Sequence, residues 1–447
     1  MESSNLHKRI ALLALNIFGA SPRKLLLGFM VPTTFLSMFI SNTATAAMMV
    51  PILEAVLQEI NPDDESQSPE KPGKTKKVST VRPMLCMSVC MAANVGGTGT
   101  IIGTGPNLVA IGILTDTFGP HQPMTFTTWL AFAVPQVILC LIAIWLWLQL
   151  YYLPNPFKKL SDDEKAKSRN DEKKIANLLK KRLEELGSMN YYEWNVLVLF
   201  VSLVLLWFTR SPGFMNGWGD ALEDLGLDVS DASAAMLITV ILFALPSDKR
   251  FWSLSKDDSN SVPVPRLLDW NTVAKKLAWG IILLFGGGFA LGEGCGVSGL
   301  SAYIGDLFKN LDHLPVPVLI IITTLGASGL TQVAANVASA NIFLPIMVEM
   351  SASLCINPLL LILPPTMACS FTFMLPVSNP PNAITFEPAR ITSLDMVKVG
   401  WVMNVVTICI TWFCLFTYGY PLLDLYELQP WVYYSDKFSL CHNSTST

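Results

Sequence analysis

Between Leu25 and Leu57 the chain is apolar and long enough to cross a bilayer, yet Ser41-Asn42-Thr43 stands in its middle and Pro32 and Pro51 interrupt it. Lipid offers no partner to those hydroxyls and that amide, and irregular backbone at such depth survives only where protein or a watery cavity covers it. The stretch therefore predicts a re-entrant helical hairpin, with its polar tip inside the membrane. The same pattern returns in Val316 to Met350. Ala335 to Ile346 repeats the asparagine, the hydroxyl three residues later and the Pro-Ile ending of Ser41 to Ile52 at equal offsets.

Each hairpin has a second partner in sequence. Val81 to Thr115 is broken at Gly103-Thr104-Gly105-Pro106-Asn107, and Leu359 to Phe386 at Ser378-Asn379-Pro380-Pro381-Asn382. Paired apolar segments interrupted by Pro and Gly, one in each half, are the sequence pointer to a transporter site between inverted repeats. The expected fold is an all-α, polytopic membrane transporter with two inverted repeats, two re-entrant hairpins and two broken helices.

Composition supports that class. Of 447 residues 51% are hydrophobic and 14% charged, and the mean hydropathy is +0.46. A net charge of -4 leaves no basic face for nucleic acid. Six cysteines (Cys86, Cys90, Cys140, Cys369, Cys409, Cys414) fall in apolar segments and read as small core residues, and no C-x-x-C pair or histidine cluster suggests a metal. His7, His121, His313 and His442 are scattered. No cofactor is implied, and no nucleophile–base set or paired acids at membrane depth suggest an enzyme.

In order, residues 1–24 read as a basic interfacial helix on the cytoplasmic side, and 25–152 as an N-terminal repeat ending in the span Thr125 to Tyr152. Within it, Asn61 to Arg82 is polar and disordered by composition. Residues 153–192 form a charged loop with ten Lys/Arg between Lys158 and Glu185, hence cytoplasmic by the positive-inside bias. Ile175, Leu178, Leu179, Leu183 and Leu186 fall there at helical spacing, ending at Gly187. Residues 193–420 hold spans at Trp194 to Phe208, Ala232 to Leu245 and Ala278 to Leu291. The last of these contains Gly286-Gly287-Gly288, better explained by close helix packing than by phosphate binding. An interfacial helix over Ser298 to Asp312, the second hairpin, the second broken segment and a crossing at Val397 to Tyr418 follow. Residues 421–447 are an extracellular tail with a glycosylation acceptor at Asn443.

Amides and hydroxyls supply the polar groups at these positions: Ser37, Ser41, Asn42, Thr43, Thr104, Thr331, Asn336, Ser378 and Asn379. No Lys or Arg balances an anion among them. Its charge would be offset by half-helix N-termini and co-bound cations. A proton relay would want intramembrane Asp, Glu or His, so sodium is the expected coupling ion.

At these motifs, together with Phe343-Leu344-Pro345 and Phe373-Met374-Leu375-Pro376-Val377, the chain resembles the sodium-coupled di- and tricarboxylate cotransporters of the divalent anion/sodium symporter family, solute carrier family 13. The resemblance implies an elevator-type, dimeric carrier in the plasma membrane. It implies one sodium site at Ser37, Ser41, Asn42 and Gly103 and another at Thr331, Asn336 and Ser378. Asn42, Thr43, Thr104, Asn336 and Asn379 would contact the substrate, a Krebs-cycle carboxylate such as citrate or succinate. Ala335 departs from the family serine, Asn379 from its usual threonine, and Val337 stands where relatives carry Thr or Val. Relatives also carry further spans of about twenty residues before the basic helix. Sulfate as cargo, or a shortened, non-transporting chain that associates with a full-length copy, are the alternatives.

Overall fold

The computed structural model describes residues 6–18, 21–60, 81–119, 122–153, 176–211, 216–223, 225–227, 229–248, 265–277 and 314–438, with 174, 441 and scattered residues between 279 and 303. Among them every regular element is helical, and the one extended pairing is an isolated bridge between Pro246 and Arg266. Residues 61–80, His121, His313, His442, Asn443 and most of the expected helix over 298–312 lie outside the described residues.

The first half runs α1 (Leu6–Phe18), α2 (Pro22–Ser37), α3 (Asn42–Ile60), α4 (Val81–Gly97), α5 (Gly105–Phe118) and α6 (Phe126–Tyr152). Pro22 opens α2, where a missing N–H costs nothing. Only 38–41 separate α2 from α3, whose start is capped as Ser41 Oγ accepts from the Ala44 N–H at 3.3 Å. Thr125 and Thr128 form a reciprocal capping box that starts α6.

α7 (Tyr191–Arg210), α8 (Trp218–Glu223), α9 (Asp231–Ala244) and α10 (Trp270–Lys276) follow, then a second series: α11 (Val316–Thr331), α12 (Asn336–Ser353), α13 (Pro358–Ser370), α14 (Pro380–Ala389) and α15 (Ser393–Cys414). α15 continues through a π-helical turn, so that among the described residues Ser393–Leu422, α6 and α7 are the three helices long and apolar enough to cross a membrane. The charged stretch before α7 turns at Gly187, whose φ of 66° suits glycine. There Arg9 of α1 donates to Gly187 O at 2.8 Å and pairs with Glu193 at 3.2 Å.

The two series pack alike. α2 and α3 lie on α4 as α11 and α12 lie on α13, and the second arms cross over, α3 onto α14 and α12 onto α5. α13 is buried throughout and α4 from Arg82 onward. The interrupted helices therefore form the centre, and each tip packs on them.

One cysteine expectation needs correction. Cys86, Cys90, Cys140, Cys369 and Cys414 are buried as expected, but Cys409 is exposed. It shares a four-residue stripe with Trp401, Val405 and Phe413, the outward apolar face of a spanning helix. Cys355 and Cys441, which the apolar pattern passes over, form a disulfide. This ties the tail to the end of α12, where Lys437 also pairs with Glu349 at 2.6 Å and Phe118 packs on Trp431 and Phe438.

Closing a loop of 86 residues, the bond stabilises by about 2–5 kcal/mol. Cys355→Ser is expected to lower the melting temperature of the purified protein. Reductant should lower it in the parent and leave the variant unchanged; equal melting of the two would show the bond contributes nothing.

Candidate functional site at two helical tips

Each tip places a hydroxyl five residues before its asparagine. Ser37 Oγ lies 2.7 Å from Asn42 Oδ1 and 2.7 Å from Ala93 O of α4. Thr331 Oγ1 lies 3.2 Å from Asn336 Oδ1 and 2.7 Å from Cys369 O of α13. A hydroxyl has one proton to give, and here each faces two acceptors. Three oxygens thus converge with a single hydrogen among them, in buried surroundings, which is an arrangement a small hard cation satisfies.

The breaks are built by the asparagine of each Pro-Asn pair. Asn107 Nδ2 donates to Gly97 O at 3.1 Å and Thr100 O at 2.7 Å, ten and seven residues back. Asn382 Nδ2 donates to Thr372 O at 2.8 Å and Leu375 O at 2.9 Å, again ten and seven back. Interrupting a helix leaves carbonyls without intrahelical partners, and these amides supply the missing donors. Pro106 and Pro381 precede them at the start of each half-helix, where proline is tolerated.

Two glycines let the parts touch. A Cβ at Gly97 would overlap the Asn42 amide, and one at Gly105 would overlap Val337 beside Asn336. The first break therefore meets the first tip at one glycine and the second tip at another. Thr100 Oγ1 also donates to Met38 O of the first tip.

The structure brings together most of the residues singled out from sequence. Ser37, Asn42, Gly103, Thr331, Asn336, Ser378 and Asn379 are buried, and Thr104 is half-buried. Ser41 and Thr43 are exposed beside Asn42, as are Ala335 and Val333 beside Asn336 and Val377 beside Ser378. Buried amides thus lie beside exposed residues that carry no formal charge.

Ser41 and its counterpart differ. Ala335 occupies the N-cap of α12 with no side-chain bond, so one helix start goes unserved where Ser41 serves the other. Ala335→Ser is expected to raise thermal stability by about 0.5–2 kcal/mol, measured by melting of purified protein; an unchanged or lower melting point would count against it.

Three residues that sequence reasoning left out of the site take part in it. Asn94 of α4 donates to Thr372 O at 3.1 Å and Asn382 Oδ1 at 3.0 Å, and accepts from Asn379 Nδ2 at 2.8 Å. Gln332 Nε2 donates to Phe371 O at 3.0 Å, joining the second tip to the second break. Asn107, seen as part of a motif, turns out to be a staple. Asn94 had a usable signal, an amide alone in an apolar segment.

The chain is similar to known proteins along nearly its whole length. The family profile described as sodium:sulfate symporter transmembrane region matches residues 1–425. The rat Na(+)/citrate cotransporter is 36% identical, with 96% of this chain and 81% of that protein covered. Human solute carrier family 13 member 2 is 38% identical over 96% of this chain and 80% of its own length. Human solute carrier family 13 member 1 is 33% identical, over 96% and 82%.

Proposed function

The chain belongs to the sodium:sulfate symporter family, integral membrane transporters rather than enzymes, and from that premise we propose that it carries Krebs-cycle carboxylates, citrate and succinate among them, coupled to sodium. The observation that carries this reading is the doubled oxygen cluster at Ser37–Asn42–Ala93 and Thr331–Asn336–Cys369. Neutral side chains alone compensate neither an anion nor a cation in a buried place. An anion and cations bound together neutralise each other, and that mutual dependence is symport.

In this reading the first cation sits among Ser37, Ser41, Asn42 and Gly103, the second among Thr331, Asn336 and Ser378. Asn42, Thr43, Thr104, Asn336 and Asn379 take the substrate. The exchanged packing of α3 on α14 and α12 on α5 supports two inverted repeats, 25–152 and 193–420, with re-entrant hairpins that open to opposite sides. A homodimer in which the hairpins and broken helices move together against the remaining helices, as an elevator, agrees with that division. The Cys355–Cys441 bond needs an oxidising compartment. It supports an extracellular tail and a plasma-membrane address, with 153–192 inside.

Cells expressing the chain, given labelled citrate, succinate or sulfate in sodium or choline medium, test the reading. Carboxylate uptake that stops in choline is expected. Sulfate uptake alone, or carboxylate uptake indifferent to sodium, would overturn it.

A further inference from the structure

The two breaks are not equal, and the difference lies in what each presents. Asn107 and Asn382 make matching bonds, but among the described residues only the second break carries a relay of amides onward, through Asn94 to Asn379. Its orientation can be read from fixed ends. Thr372 O and Leu375 O are carbonyls and only accept, so the group of Asn382 within 2.9 Å of both is its NH2. Asn382 Oδ1 is then turned to Asn94 at 3.0 Å, where it must receive an N–H; Asn94 gives its second hydrogen to Thr372 O. Asn94 Oδ1 is left to accept, and Asn379 Nδ2 donates to it at 2.8 Å.

The last amide is therefore fixed by its NH2 group, which leaves its carbonyl oxygen over. That oxygen has no protein partner among the described residues. An asparagine preceding a helix commonly turns its oxygen to the helix's own N–H groups at the second or third position, but α14 begins Pro380-Pro381, which have none, the Asn382 N–H goes to the Asn379 main-chain oxygen at 3.0 Å, and no side-chain cap bond forms. The prolines and Asn94 together reserve Asn379 Oδ1 for something else.

We propose that Asn379 is a specificity-determining residue that accepts a hydrogen bond from a hydroxyl of the substrate, so that the site prefers a hydroxy-carboxylate to the same acid without the hydroxyl. The proposal rests on the carboxylate-transport reading and narrows it. A bare carboxylate or sulfate oxygen would meet Asn379 Oδ1 acceptor to acceptor, whereas an alcohol brings the hydrogen this position lacks. Asn94 is the positioning residue, acting only through Asn379.

Citrate and tricarballylate, which differ by that one hydroxyl, form the test. In cells expressing the chain, the apparent KM for citrate is expected about five- to tenfold below that for tricarballylate, the worth of one hydrogen bond. Asn379→Ala should bring the ratio near one. Asn94→Leu, scored only on protein that reaches the surface, should do the same by freeing the amide to turn. A ratio near one in the parent, or a ratio unchanged in Asn379→Ala, overturns the assignment. So does a raised sodium requirement in Asn379→Ala at unchanged ratio, which would make the oxygen a cation ligand. A parent that moves both acids equally refutes the hydroxyl assignment alone; a parent that moves neither refutes the carboxylate reading beneath it.

Discussion

Asn42→Ala and Asn336→Ala are each expected to bring carboxylate uptake to background while the protein stays at the cell surface. Asn42 Oδ1 and Asn336 Oδ1 are the side-chain oxygens that face, at each tip, the hydroxyl also turned to a main-chain carbonyl. Their loss removes a ligand from the cation and the amide N–H from the anion. Each interaction with a charged group is worth about 1.5–3 kcal/mol. Two lost together come to at least a hundredfold in affinity, since about 1.4 kcal/mol is tenfold. Both substituted side chains lie at tips, outside the fully buried α4 and α13, so folding should survive. Labelled citrate uptake with surface biotinylation reads both quantities. Two variants that transport normally would remove these residues from the site.

The second large effect concerns stability. Asn107→Asp keeps the shape of the side chain and exchanges its donor for an acceptor. The new carboxylate would face Gly97 O and Thr100 O, now 3.1 Å and 2.7 Å from the amide, at a position with no solvent exposure. An uncompensated charge so placed costs about 3–5 kcal/mol. Asn107→Leu, which only withdraws the donor, costs about 1–3 kcal/mol. Detergent-extracted protein should then melt in the order parent, Asn107→Leu, Asn107→Asp, with the same order at Asn382. An Asp variant as stable as the parent would show that these amides do not hold the breaks open.

How much of this was legible in the sequence depended on the kind of signal. The tips were, because hydroxyls and an asparagine repeated at equal offsets inside apolar runs leave few alternatives in lipid. The breaks were legible as places, through Pro106-Asn107 and Pro381-Asn382, but their construction was not. Bonds from an asparagine to carbonyls ten and seven residues earlier appear only once the chain has turned back on itself. Asn94 was hidden for a similar reason, since its partners Thr372, Asn379 and Asn382 come from the other half of the chain. The disulfide escaped because Cys355 and Cys441 stand outside the apolar segments and 86 residues apart. The exposure of Cys409 escaped because apolar residues facing lipid and those facing the core look alike in composition.

Equilibrium binding of labelled citrate to the purified protein, titrated with sodium against choline, tests most directly the claim that a charge-free pocket needs cation and anion together. Binding should be absent in choline and should strengthen steeply with sodium, and by linkage citrate should tighten sodium binding by the same factor. Equal citrate affinity in the two salts would contradict it.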